Sequence, residues 1–185
     1  MEIKGSAVKS IVEFIRKNHP DRYEEWLNSL PGESKKIFIE PVLPSKWYPM
    51  NESAVIPTMH LAELFFDNDE EKGAWESGRY SAEMALTGIY KFFIRAASPF
   101  FIISKASRIL STYYQPSDIV VVEKGDNWVN VHITRFEEPN AIIECRICGW
   151  IERALEISGA KNVKVDVRKS MAKGDDVTEL YMSWN

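Results

Sequence analysis

The sequence predicts an α+β protein in which N-terminal helices and a long helical hairpin pack on an antiparallel sheet of about four strands. Apolar residues recur at helical spacing through most of the first 114 residues, and short alternating segments follow Gln115-Pro116. A helical pattern interrupts these segments, so the second half reads β-β-α-β-β. A chain of 185 residues with 45% hydrophobic content is long enough for one such domain.

Two short helices are predicted at the start of the chain. The first ends at Asn18-His19-Pro20, and the second opens at Pro20 and stops at Pro31-Gly32. A connector with three prolines follows from Glu40 to Pro49, and these prolines forbid a regular helix. Its large aromatic side chains, Trp47 and Tyr48, must therefore pack against another part of the protein. We therefore divide a single domain, 1–185, into a helical extension (1–45) and a ligand-binding-type α+β part (46–185).

A helix is favoured from Asn51 to Phe66, and after an acidic break the longest helix runs from about Glu71 to Ala97. A row of small residues lies beside its apolar stripe: Ala74, Gly78, Ser81, Ala85 and Gly88. An interior glycine costs about 1 kcal/mol relative to alanine, so the missing side chains must leave room for something. Close packing of a neighbouring helix is the first interpretation, and a ligand or a second copy of the chain is the alternative.

The second arm of the hairpin is predicted from Ser98-Pro99 to Tyr113-Tyr114. No acidic residue occurs among the 34 residues from Met84 to Ser117, which carry +4 within a chain of −4, so the remainder carries −8. Such a basic, aromatic-rich hairpin suits an amphipathic anion such as an acyl or carboxylate ligand. Alternatively, it is a core hairpin whose cations lie in water.

The sheet is predicted from four alternating or apolar segments, which centre on Ile119–Val122, Trp128–Phe136, Val163–Arg168 and Leu180–Trp184. The helix between the second and third segments starts near Asn140, and Gly159 suits its C-terminal cap. His132 shares a strand face with polar neighbours, so an exposed histidine is the simpler interpretation and a functional one the alternative.

Cys145 and Cys148 are the only cysteines, with C-x-x-C spacing. Small apolar filling of a helix face is the first interpretation, since the segment also carries several isoleucines. A redox thiol pair or half of a zinc site are the alternatives. The three histidines, at positions 19, 60 and 132, are too scattered to complete a zinc site.

Composition limits the class of protein. The net charge of −4 and pI of about 5.5 disfavour nucleic-acid binding, although a local basic patch is compatible with them. No signal peptide is visible near Met1 and no apolar run is long enough to span a membrane, so we expect a cytoplasmic protein without a membrane span. No phosphate loop, nucleophile elbow or kinase signature occurs.

The chain resembles an uncharacterised bacterial family first described as a myxobacterial paralogous set. The residues that carry the resemblance are Gly78-Arg79-Tyr80, Gly88-Ile89-Tyr90-Lys91, Ser98-Pro99, Tyr113-Tyr114, Cys145 to Trp150 with Leu155, Gly159-Ala160, Gly174-Asp175 and Trp184. That family is similar to the 4-vinyl reductase domain, the haem NO-binding domain and the TRAPP transport subunits. The resemblance implies a domain that binds a small, often hydrophobic molecule or a partner subunit and frequently dimerises. No cysteine follows Cys148 and no histidine matches a haem-ligand motif, which disfavours the metal-site and haem-sensor readings.

We therefore expect a non-enzymatic cytoplasmic sensor or binding domain that encloses a small hydrophobic or amphipathic molecule among its helices, with no cofactor, metal or catalytic residue. The candidate ligand-binding residues are Tyr80, Met84, Tyr90, Phe93, Arg95, Phe100 and Tyr113. Arg95 would supply a counter-charge. A homodimeric interaction protein without a ligand is the second hypothesis, and a thiol-dependent enzyme that uses Cys145 and Cys148 is the third.

Overall fold

Eight α-helices and seven β-strands form the part of the chain that the computed structural model describes, residues 1–86 and 99–185, without the side chains of Ala106 and Ser107. The helices are α1 (Gly5–Asn18), α2 (Tyr23–Ser29), α3 (Gly32–Ile39), α4 (Ile56–Phe65), α5 (Glu70–Leu86), α6 (Pro99–Ser104), α7 (Ala106–Tyr113) and α8 (Ala141–Ile157). The strands are β1 (Glu2–Lys4), β2 (Trp47–Pro49), β3 (Tyr114–Gln115), β4 (Ser117–Lys124), β5 (Trp128–Phe136), β6 (Lys164–Lys169) and β7 (Thr178–Ser183). The α+β class predicted from the sequence is confirmed.

The four-stranded sheet is antiparallel with the order β4-β5-β7-β6, and α8 crosses from β5 to β6. In β5 the predicted alternation is confirmed, because Val129, Val131 and Ile133 are buried. Val167 of the edge strand β6 is exposed. Gly159 has a φ of 102° at the end of α8, which confirms the predicted glycine cap.

A second, three-stranded sheet was not predicted. β1 lies at its centre and pairs antiparallel with β2 on one side and β3 on the other. These strands contain two or three residues each, too few for an alternating pattern to be recognised. β2 lies in the proline connector, so Trp47 and Tyr48 belong to a strand, and Leu43 donates its backbone N–H to the Tyr48 hydroxyl at 3.0 Å.

The second predicted helix ends at Ser29, close to its predicted stop at Pro31-Gly32, but the helix α3 that begins at Gly32 was not predicted. Pro31 is the N-cap of α3, where its missing N–H is not needed. The second arm of the hairpin is two helices rather than one, since the backbone of Lys105 departs from helical geometry between α6 and α7. The predicted long helix is described as far as Leu86, and residues 87–97 of that prediction lie outside the described part of the chain.

One hydrophobic core joins the helices to the four-stranded sheet. It includes Ile3 and Ile11 from the first elements as well as Ile143 of α8 and Leu180 of β7. The helices α5 and α8 lie side by side over this core. Within the described residues, no helix has both the length and the apolar character needed to cross a membrane.

Candidate functional site: an apolar cavity beneath Arg146

A cavity of about 60 Å³ lies between α5, the α6–α7 pair, α8 and the four-stranded sheet. Its described lining is mostly aliphatic, and the residues are Ala7, Gly78, Ser81, Ile102, Ile103, Ile109, Leu110, Tyr113, Tyr114, Ile119, Val131, Arg146, Ile147, Trp150, Ile151, Leu155 and Met182. A water molecule needs about 10–15 Å³ of such space, so the cavity has room for several waters or for a small organic molecule.

The position of the cavity depends on a close approach of α5 and α8 at two glycines. A Cβ at Gly78 would lie 2.1 Å from the backbone oxygen of Arg146, and a Cβ at Gly149 would lie 2.1 Å from the backbone oxygen of Trp75. Gly73, Ala74, Ser77, Gly78, Ser81 and Ala82 form the buried face of α5. In the predicted row, Ala74, Gly78 and Ser81 are therefore buried, and Gly78 packs against a neighbouring helix as the first interpretation proposed, whereas Ala85 is half-buried and Gly88 lies outside the described residues.

Arg146 is the only charged residue among the described lining residues of the cavity. It is 2% exposed, and its Nη1 donates to Ser77 Oγ at 2.9 Å and to Thr58 Oγ1 at 3.5 Å, while its Nη2 donates to the backbone oxygen of Ala7 at 3.4 Å. These acceptors are neutral. Among the described residues no carboxylate pairs with Arg146, and the undescribed segment 87–98 contains no Asp or Glu.

Two donors in the cavity wall lack acceptors among the described residues. They are Nε of Arg146 and the indole Nε1 of Trp150, both fully enclosed. The two residues are four positions apart on α8, so their side chains project from one face of the helix. A buried donor without an acceptor costs about 1–3 kcal/mol, and an unpaired buried charge costs more. Both of these unfavourable donors therefore lie on the same side of one small cavity.

Two tyrosines complete the polar part of the wall. Burial raises the pKa of Tyr114, while the charge of the neighbouring Arg146 and a hydrogen bond from it act in the opposite direction. Burial also raises the pKa of Tyr113, whose ring lies 6.0 Å from the Trp150 ring at an interplanar angle of 56°. Both hydroxyls therefore remain protonated at neutral pH.

The structure brings only one of the described candidate residues to the cavity wall, which is Tyr113. Tyr80 packs edge-on against Phe14 at 5.6 Å, and Phe100 packs against Trp184 at 5.4 Å. Met84 is 38% exposed. Tyr90, Phe93 and Arg95 lie outside the described residues. Their role in ligand binding stays a prediction.

Sequence reasoning missed Arg146 and Trp150. The charge pattern directed attention to the cations of the hairpin, whereas Arg146 lies in a helix with acidic neighbours and has no unusual local signal. One signal was available, because Arg146 follows Ile142 by four residues and Ile143 by three and so lies on the apolar face of α8, where a solvated arginine has no place.

Cys145 and Cys148 are free thiols on α8, and neither lines the cavity. Burial and the nearby Glu71 and Glu144 carboxylates raise the pKa of Cys145 to about 11. Burial also raises the pKa of Cys148. A reactive cysteine needs a depressed pKa, so these surroundings oppose thiolate chemistry.

Comparison with known proteins identifies the fold of the chain. No protein-family model matches the chain, and no curated protein matches its sequence. Solved structures do match over almost the whole length. The Fe(II) unliganded H-NOX protein from K. algicida has a TM-score of 0.72 at 10% identity, with 99% of this chain and 97% of that chain covered.

The chain has the H-NOX fold. An H-NOX protein from S. oneidensis in the Fe(II)NO ligation state gives a TM-score of 0.72 at 11% identity, with 99% of both chains covered. A mutant of the T. tengcongensis H-NOX gives 0.71 at 12% identity, with 99% of this chain and 98% of that chain covered. The haem NO-binding domain, one of the families named by the sequence resemblance, is therefore a family whose fold this chain shares.

The described residues of this H-NOX fold do not fit a haem held by histidine or cysteine. His19 stacks on Phe65, His60 contacts Ser29, and His132 lies beside Glu179, so none lines the cavity. The undescribed segment 87–98 contains no His, Cys or Met. Tyr113, Tyr114 and Met182 are the only described lining residues of a type that binds haem iron, and both tyrosines have raised pKa values. A volume of about 60 Å³ is also far below the roughly 300–1,000 Å³ of pockets that enclose larger ligands.

Proposed function

We propose that this chain is a small-molecule-binding sensor domain whose ligand occupies the cavity beneath Arg146, and that it works without haem. The observation that carries the proposal is the combination of an apolar wall with two enclosed donors that have no acceptor among the described residues. Ligand pockets typically combine mostly apolar walls with a few placed polar groups. The H-NOX fold agrees with such a role, since the neighbours are described in distinct iron and NO ligation states.

The location of the cavity suits signalling. Its wall takes residues from the N-terminal region, from α5, from α8 and from the sheet, so a ligand would contact elements that are far apart in the chain. A molecule that binds there would favour one arrangement of these elements over others, in proportion to its difference in affinity for them. We also expect the protein to lie in the cytoplasm. Membership of the myxobacterial-type family, which is related to 4-vinyl reductase and TRAPP domains, stays an expectation.

Native mass spectrometry of gently purified full-length protein tests the proposal. We expect a bound organic molecule, or a rise in melting temperature with small apolar or amphipathic compounds, because a ligand that binds only the folded state stabilises it. Added hemin should produce no stoichiometric change in its absorption spectrum. Stoichiometric hemin binding would overturn the haem-free part, and the absence of both a bound molecule and any thermal shift would overturn the binding function.

A homodimer without a ligand is the second candidate. Exposed apolar side chains on the edge strand β4, Val120, Val121 and Val122, favour a contact with another chain. Light scattering at micromolar concentration distinguishes the two candidates in part, since a strict monomer is incompatible with the dimer and compatible with the sensor.

A further inference from the structure

We propose that the molecule in the cavity is a small monocarboxylate whose head group accepts hydrogen bonds from Arg146 Nε and Trp150 Nε1. This inference rests on the proposed function and specifies its ligand class. It starts from the donors of Arg146. A guanidinium carries five N–H groups and no acceptor. The described acceptors around it are Ser77 Oγ, Thr58 Oγ1, the backbone oxygen of Ala7 and the neighbouring Tyr114 hydroxyl, and none of them satisfies Nε.

The open edge of Arg146 has the geometry that a carboxylate recognises. Nε–H and one N–H of Nη2 lie parallel on one edge of the planar guanidinium, and carboxylates bind such an edge through two hydrogen bonds. Nε has no acceptor among the described residues, and Nη2 has a long contact of 3.4 Å to the backbone oxygen of Ala7. A carboxylate can therefore bind to this edge through both oxygens, and no strong hydrogen bond from Nε has to be broken.

Trp150 restricts the chemistry further. An indole N–H donates and cannot accept, so its partner must carry a lone pair. The cavity thus offers two donors from adjacent turns of α8 and one uncompensated positive charge. A neutral alcohol could accept from both donors but would leave the charge unpaired. An ammonium ligand would repel Arg146. An oxygen anion satisfies both donors and the charge.

The rest of the wall determines the charge and size of that anion. The only charged residue among the described lining residues is Arg146, which balances one negative charge, and the remaining wall is almost entirely aliphatic or aromatic. A phosphate would carry more charge and would leave oxygen atoms against apolar side chains, which is costly. The volume of about 60 Å³ limits the hydrocarbon part to a short chain. A short-chain carboxylate meets all of these conditions.

Butanoate and hexanoate are suitable probes, and the matched neutral compounds are butanamide and 1-butanol. Calorimetry and thermal melting of the full-length protein at neutral pH should show binding of at least one acid and much weaker binding of the amide and alcohol. Trp150→Phe keeps an aromatic ring against Tyr113 and removes the N–H donor together with part of the indole ring, so 1-butanol binding serves as the control for the lost volume. Because a hydrogen bond to a charged group is lost, we expect carboxylate affinity to fall about tenfold in this variant, with 1-butanol binding unchanged.

Arg146→Gln should abolish the preference for acid over amide, and Trp150→Phe keeps the test valid if that variant does not fold. Equal binding of acids and neutral analogues, or unchanged carboxylate affinity in Trp150→Phe, would overturn the inference while leaving an apolar binding function intact. Binding of neutral apolar compounds, with no binding of either acid, would also overturn the inference and leave an apolar binding function intact. If neither the acids nor the amide nor the alcohol binds, internal water satisfies the donors and the inference fails. The proposed function fails as well only if, in addition, no molecule co-purifies with the protein.

Discussion

At the scale of single residues, the two glycines at the contact between α5 and α8, Gly78 and Gly149, decide where the cavity lies. Each occupies a position where a Cβ would lie far inside the van der Waals distance of a backbone carbonyl on the partner helix. A backbone atom cannot turn away as a side chain does, so the helices would have to separate. The same separation would move Arg146 and Trp150 relative to Ser81 and the rest of the α5 wall.

We expect Gly78→Ala and Gly149→Ala each to reduce the free energy of unfolding by about 1–3 kcal/mol, the usual cost of overpacking a core. For a chain of this size, this corresponds to a fall in melting temperature of about 2–4 °C per kcal/mol. Gly32→Ala is the matched control, because nothing lies within 4 Å of a Cβ at Gly32. A control variant as unstable as the other two would contradict the packing argument.

At the scale of elements, ion pairs hold the C-terminal half of α8 to α5. Arg79 of α5 pairs with Glu152 and Glu156 of α8, at 2.9 Å for the Nη2 to Glu156 Oε2 contact, and Trp75 Nε1 donates to Glu152 Oε2 at 2.8 Å. Burial alone would raise the pKa of Glu156, but hydrogen bonds from Arg79 and Arg153 lower it more. This carboxyl group therefore has a lower pKa in the folded than in the unfolded chain.

The lowered pKa of Glu156 predicts the sign of an acid dependence. Its stabilising effect is complete above the unfolded pKa of about 4.3 and is lost as the pH falls through the lower folded pKa. In Glu156→Gln we expect a flatter decline of unfolding free energy between about pH 6 and about pH 3, measured by urea denaturation. Glu33→Gln, which removes an exposed pair with Lys36, should follow the wild-type curve. Identical curves for Glu156→Gln and wild type would contradict the prediction.

The elements also show what a sequence can and cannot predict here. The α8 helix and the strands β5 and β7 were predictable, because their apolar residues repeat with the period of their own secondary structure. The pairing of β1 with β2 and β3 was not, since it joins residues from positions 3, 48 and 114 through backbone hydrogen bonds that leave no side-chain pattern. The cavity could not be predicted from the sequence either. Its charged residue, Arg146, lies on α8, whereas the charge pattern of the sequence pointed to the hairpin.

At the scale of the whole molecule, the first 45 residues contribute to the core of the part that follows them. β1 is the central strand of its sheet, so its removal would leave β2 and β3 without a common partner. Trp26 is fully buried and donates its indole N–H to the backbone oxygen of Pro57 at 3.1 Å. Ala7 lies in the cavity wall, and its backbone oxygen accepts from Arg146.

We therefore expect the fragment 46–185 not to fold as an independent unit. Loss of β1, α1, α2 and α3 would expose the apolar side chains that pack against Ile3, Ile11 and Trp26, and burial of each large apolar side chain is worth about 1.5–3 kcal/mol. For these three residues alone the sum is about 4.5–9 kcal/mol, which is comparable to the usual stability of a domain, about 5–15 kcal/mol. Circular dichroism and urea denaturation of the fragment should show no cooperative transition, and adding residues 1–45 as a separate peptide should restore one if their packing is the cause. A fragment that unfolds cooperatively by itself would show that the extension is dispensable for folding.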